Sequence, residues 1–215
     1  FDMKSFGILL LAACLIMATV ATDDHDLSFE EICDKYGYPL EKYTVTTDDG
    51  YILQTFRIPH GKGQTYSSSR PALLFQHGAF DSSDALFNHG PDLSPAFYLA
   101  NQGYDVWLGN RRGDKYSRDH LTLDPDRDGD EFWAFSFVEP YLDDKANIEY
   151  IRQETGQDKI IFVGHSEGFT TMLTALTTNE ADWFKQRVSL LVGLAPVSRL
   201  NDLGTGLLKF LGAND

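Results

Sequence analysis

The stretch that most restricts the fold of this chain is IIFVGHSEGFTTML, residues 160–173. Four apolar residues lead into Gly164-His165-Ser166-Glu167-Gly168. Phe169, Met172, Leu173 and Leu176 then follow at the i, i+3, i+4, i+7 spacing of an amphipathic helix. A buried strand must turn sharply into a helix here, with a serine at the turn. Gly164 and Gly168 fall where neighbouring chain passes too close for a β-carbon, so the spacing predicts a nucleophile elbow with Ser166 as candidate nucleophile.

The flanking sequence supplies the sheet such an elbow needs. Tyr43 and Val45 alternate with polar neighbours, Asp48-Asp49-Gly50 makes a turn, and the pattern resumes from Tyr51 to Ile58, which predicts a hairpin. Continuous apolar runs recur at 71–75, 104–109, 160–163 and 189–197, the mark of strands buried on both faces. Between them Leu142, Ala146 and Tyr150 suggest a helix face, with Ile148 and Ile151 nearby and Gly156 at the helix end. Strands alternating with helices predict an α/β fold: a mostly parallel sheet, helices on both faces, and an antiparallel hairpin at its amino-terminal side.

At 215 residues, 42% hydrophobic and 13% aromatic, the chain has material for one domain with a sizeable core. A net charge of −14 argues against nucleic acid or anionic lipid as a partner. Met3 to Ala21 carries one early lysine, an apolar centre and small residues at its end, the pattern of a signal peptide over 3–21. Its apolar part is shorter than the roughly 20 residues of a membrane span, so no stable transmembrane segment is expected after its removal. Phe1 and Asp2 precede the first methionine and read as sequence from outside the true start. Cys14 lies in this leader, leaving Cys33 as an odd thiol whose disulfide partner, if any, would lie outside these residues.

A serine hydroxyl needs a base, and its tetrahedral adduct needs hydrogen-bond donors. At an elbow one donor is the backbone N–H after the serine, that of Glu167. The run LLFQHG ends a strand at His77-Gly78, which makes the N–H of Ala79 the second. The Glu167 carboxylate must then point away or be paired, because negative charge beside an oxyanion raises the barrier. None of the six histidines (25, 60, 77, 89, 120, 165) follows Ser166, whereas the order of an elbow triad is Ser, Asp, His. His165 diverges from its neighbour. Asp182 and Asp202 follow the serine at no recognisable strand end, so a triad Asp and His are not in this chain.

Asp124 to Glu131 opens like a calcium loop, but Phe135 stands where the twelfth-position Glu belongs. A solvated acidic loop is expected, with no metal and no cofactor. Arg111-Arg112 is expected to form structural salt bridges.

Taken together these segments resemble the acid lipase family of the α/β-hydrolases, the lysosomal acid lipase and gastric lipase type, over its amino-terminal part. The matching stretches are YGYPLEKYTVTTDDGYILQTFRIPHG, FQHGAFDSS, GYDVWLGNRRGDKYSRDH, EFWAFSF, GQDKIIFVGHSEGFTT and LLVGLAPVSRL. The resemblance implies lipid catabolism: hydrolysis of triacylglycerol or sterol esters at a lipid–water interface, in an extracellular or lysosomal setting. It divides the chain into the leader, a lipase-domain part over 27–198 and the start of a cap over 199–215. Glu167 and Ala79 depart from the family's usual Gln and Leu. The chain is expected to be a truncated lipase, nearly inactive alone, since loss of a triad histidine costs about a millionfold in turnover. The alternative is a non-catalytic hydrolase-like protein that binds lipid or protein.

Overall fold

A computed structural model describes residues 24–198. The expected leader and cap start, with Cys14 and Asp202, lie outside the described residues.

A helix α1 (Phe29–Tyr36) opens on a capping box, in which Ser28 and Glu31 satisfy each other's backbone N–H groups. The hairpin follows as β1 (Glu41–Thr46) and β2 (Tyr51–Ile58), antiparallel with Val45 opposite Leu53. Next come β3 (Ala72–Gln76), short helices α2 (Gly90–Leu93) and α3 (Pro95–Asn101), and β4 (Asp105–Gly109). After β5 (Asp119–His120) and α4 (Gly129–Phe132), the long α5 (Tyr141–Thr155) leads to β6 (Ile160–His165). The described part closes with α6 (Glu167–Ala175), α7 (Ala181–Arg187) and β7 (Val188–Leu194).

The strands form one sheet in the order β1-β2-β4-β3-β6-β7, with β5 paired to β2. From β4 to β7 the pairings are parallel, while the hairpin runs antiparallel along β4. The carboxyl ends of the parallel strands finish level: Gln76 pairs with both Gly109 and Gly164, and Gly164 with Gly193. That shared edge is where open α/β sheets place their ligands.

Both faces of the sheet are covered. On one, Phe29, Ile32 and Cys33 of α1 and Phe97 of α3 pack on Phe56, Phe75 and Leu108. On the other, Ile148 and Ile151 of α5 and Met172 and Ala175 of α6 pack on Leu74, Trp107 and Phe162. Cys33 is buried and unbonded, and desolvation together with Asp34 and Glu30 pushes its thiol up to about 12. It fills the core as a small apolar side chain.

Two helix faces differ from the sequence expectation. In α5 the buried residues are Asp143, Asp144, Asn147, Ile148, Ile151 and Thr155, while Leu142, Ala146 and Tyr150 are half-buried. In α6 they are Gly168, Thr171, Met172 and Ala175, with Phe169, Leu173 and Leu176 at the margin. Polar groups displace apolar ones from the buried stripe of α5 because arginines of the loop after β4 await them. The run expected to 197 also stops early, at Leu194, where Ala195 takes a positive φ of 45°.

Candidate active site

Ser166 stands between β6 and α6 with φ 52° and ψ −116°. That region is sparsely populated for a residue with a β-carbon and costs on the order of 1–3 kcal/mol. The burial of Met172 and Ala175 by the helix that follows is large enough to offset it. The turn is held by the Ser166 N–H donating to the Leu194 carbonyl at 2.9 Å, which ties the serine to the end of β7. A β-carbon on Gly164 would come within 2.5 Å of the Gly168 backbone, so only glycine permits the reversal.

The loop after β3 lies against the serine. A β-carbon built on Gly78 would stand 3.0 Å from that of Ser166 and 3.3 Å from His165 Nδ1. Ala79 is the next residue, and the helix that carries Glu167 begins at the serine itself, where the first N–H groups have no intrahelical acceptor. The two N–H groups named from sequence as oxyanion donors thus belong to chain segments in contact around one side chain.

His77 is buried beneath this loop. Its Nδ1–H donates to the Gly78 carbonyl at 2.8 Å, and its Nε2 lies 3.1 Å from Asp114 Oδ2. Asp114 in turn accepts from the backbone N–H groups of Arg111, Tyr116 and Ser117. The ring fastens the loop after β3 to the loop after β4.

Glu167 is half-buried, and its Oε2 lies 3.9 Å from Arg111 Nη1. Its charge is therefore compensated, as the sequence required. The same guanidinium donates through Nη2 to Thr171 Oγ1 at 2.5 Å and reaches Asp144 Oδ2 at 3.5 Å. The Thr171 hydroxyl in turn donates to Asp144 Oδ2 at 2.7 Å. Burial pushes the Asp144 carboxyl up to about 6, against the lowering effect of Arg111 and Thr171. Beside it, Arg112 binds Asp143 at 2.7 Å and Asp49 at 2.6 Å.

Sequence reasoning read the arginine pair as structural but missed its partners. The available signal was Asp143-Asp144, two adjacent acids opening a helix that follows a two-arginine loop.

The remaining candidates fall elsewhere. Among the described residues no hydrogen bond reaches the Ser166 hydroxyl, and His165 is exposed. His60 is engaged by Gly61 O, and His120 by Asp49 O and the Thr122 N–H. Asp182 pairs with Lys185 on the surface of α7. In the Asp124 loop, Asp124 accepts from the Asp126 and Arg127 N–H groups, and Asp126 pairs with Arg118. These carboxylates close a turn, and no His/Cys/Asp/Glu cluster with metal-ligand geometry occurs among the described residues.

A cavity of about 920 Å³ opens between the loop after β3, the loop after β4 and the aromatic segment 133–137, with Ala79 and Glu167, but not Ser166, in its lining.

The comparisons with known proteins fit this geometry. Residues 29–90 match the model of the partial alpha/beta-hydrolase lipase region, and residues 71–211 that of the alpha/beta hydrolase fold. The chain belongs to the acid lipase family of the α/β-hydrolases. Human lipase member K is 42% identical over 179 residues, which is 82% of this chain and 44% of that protein. Rat gastric triacylglycerol lipase is 42% identical over 186 residues, 86% of this chain and 46% of its own. This acid lipase family member thus spans about half the length of the curated relatives it matches.

Solved structures share the fold at lower identity. An esterase of Pyrococcus furiosus superposes with a TM-score of 0.55 at 16% identity, over 85% of this chain and 63% of that one. A bacterial membrane phospholipase A gives 0.55 at 17% identity, over 99% and 57%. Among the described residues of this acid lipase relative, no helix is long and apolar enough to cross a membrane.

Proposed function

We propose that this chain is the nucleophile-bearing part of a serine lipase that cleaves carboxylic esters of lipids, triacylglycerol or sterol ester, in the secretory pathway, outside the cell or in the lysosome. Ser166 Oγ attacks the acyl carbonyl carbon, and the N–H groups of Ala79 and Glu167 hold the oxyanion as it forms. The alcohol leaves with a proton, and water then releases the acyl group from the serine. The triad base and acid lie outside the described residues.

The observation that carries this reading is the strained Ser166 backbone, φ 52°, set against the Gly78-Ala79 loop. A strained serine alone would be a cost without a return. Beside the N–H groups of Ala79 and Glu167, on the two segments that meet around it, it is a preorganised site for acyl transfer. The names of the relatives, lipases among them, support the lipid-ester substrate class.

The test is hydrolysis by the complete protein, expressed from its own coding sequence, of triacylglycerol, sterol ester and short-chain esters. Cleavage abolished by Ser166→Ala is the expected result. Cleavage that survives the substitution refutes the role of Ser166. Lipid binding without cleavage by the complete unmutated protein favours a non-catalytic lipid binder.

A further inference from the structure

We infer that Arg111 is a positioning residue for acyl transfer at Ser166: its guanidinium, fixed between α5 and α6, holds the Glu167 carboxylate and its charge away from the oxyanion. The inference rests on the ester hydrolase reading and names what keeps a carboxylate next to the serine from opposing the reaction.

Arg111 is fixed from two sides. Its backbone N–H donates to Asp114 Oδ2 at 3.1 Å, the same oxygen that His77 Nε2 meets at 3.1 Å. Its guanidinium donates from Nη2 to Thr171 Oγ1, one helical turn beyond Glu167, and reaches Asp144 of α5. The side chain therefore stands at a set place beside the start of α6.

The neighbouring arginine shows what a purely structural pairing looks like. Arg112 commits its whole fork to local partners, Nε and Nη2 to Asp143 and Nη1 and Nη2 to Asp49. Arg111 is nearly as buried, with 6% of its side chain exposed, yet its Nε and Nη1 have no hydrogen-bond partner among the described residues. Buried donors left unmet are unfavourable, so satisfaction of the guanidinium does not explain its place. What Nη1 faces is Glu167 Oε2, at 3.9 Å. Asp144 and Glu167 thus share this cation.

The Glu167 carboxylate is at most one side chain's length from its own N–H, the expected donor. Without a cation to hold it, its charge opposes the negative charge that grows on the acyl oxygen. A unit charge several ångströms from the reacting atoms, partly shielded from water, changes a rate by about tenfold or more. A glutamine at this position would carry no such charge, so the effect of Arg111 on turnover depends on Glu167.

The experiment is a double-mutant cycle on kcat in the complete protein with a butyrate ester: Arg111→Gln, Glu167→Gln and the two together. Arg111→Gln should lower kcat about tenfold or more, with KM changed less than about threefold. With Glu167→Gln in place, the same change should lower kcat less than about threefold. Thermal denaturation separates this from a folding defect, because Thr171 and Asp144 lose their donor in both backgrounds and Tm should fall alike in each. If Arg111→Gln does not fold, the cycle is run in Asp144→Asn protein, where no buried carboxylate is left without its cation. Equal loss of kcat in both backgrounds would overturn the inference, because Arg111 would then act through the fold alone.

A second measurement needs no turnover. Butylboronic acid accepts an electron pair from Ser166 Oγ, whose proton leaves to water, and becomes a tetrahedral anion that keeps both its hydroxyls. Its dissociation constant, by calorimetry on the complete protein, should rise about tenfold or more on Arg111→Gln and less than about threefold with Glu167→Gln in place. That pattern supports the role of Arg111 even if the unmutated protein hydrolyses nothing, which would remove only the hydrolase reading. Hydrolysis without coupling between Arg111 and Glu167 would remove the role of Arg111 and leave that reading. Absence of both adduct and hydrolysis would overturn both.

Discussion

Gly168 lies so close to the end of β3 that a β-carbon there would stand 2.5 Å from the Gln76 carbonyl oxygen and 2.7 Å from that of His77. Helix α6 is thereby pressed against the strand that leads into Gly78 and Ala79. Both neighbours are backbone and cannot swing aside. Gly168→Ala should cost about 1–3 kcal/mol by overpacking, and more of the damage should fall on the placement of the serine against Gly78. Urea denaturation measures the first effect. An unchanged midpoint would mean that helix and strand are not in fixed contact.

Asp144 gives the fold a pH dependence of stated sign. Its folded pKa, about 6, is above the ordinary 3.8, so the folded state takes up a proton before the unfolded chain does. Stability from this group therefore rises as pH falls through that window, and the net cost of the ionised form in the fold, about 3 kcal/mol, is fully present only above about pH 7. Asp144→Asn removes the titration. Wild-type stability minus that of the variant should drop by about 2 kcal/mol between pH 4 and pH 7 in denaturation at each pH. A difference independent of pH would contradict the assignment.

Arg112 and Asp143 are 1% and 0% exposed in their side chains and meet at 2.7 Å. Removing Arg112 strands Asp143 in the interior, at a cost of about 3–5 kcal/mol, whereas removing Asp143 leaves Arg112 still paired with Asp49 at 2.6 Å. Arg112→Met should thus be severe and Asp143→Ala milder, and Arg112→Met combined with Asp143→Leu should be milder than the sum of the two single changes. A double-mutant cycle by thermal or chemical denaturation measures the coupling; additive losses would mean the pair does not act as a unit.

Local sequence carried the strand-to-helix turn at Ser166, because its constraints are local: Gly164, Ser166 and Gly168 sit within five residues, and the strand and helix flank them directly. The hairpin was legible for the same reason, through Asp49-Gly50. The parallel core followed from continuous apolar runs, which cannot face water on either side.

What periodicity could not give was the buried stripe of α5. Asp143, Asp144 and Asn147 are inside because Arg111, Arg112 and Thr55 meet them from other elements, and apolar spacing has no means of registering a partner so distant in sequence. The cavity was hidden likewise: its walls come from residues 77–84, 111–115 and 133–140, segments far apart in sequence that only the fold brings together.

The central claim is that Ser166 is the atom-bearing nucleophile of an acyl-transfer site. The most direct measurement is to quench the complete protein in acid during turnover of a slow ester and map the acylated peptide by mass spectrometry. The predicted result is a single acyl adduct on Ser166, with none on the Ser166→Ala protein. Continued hydrolysis with the acyl group on another residue would contradict the account.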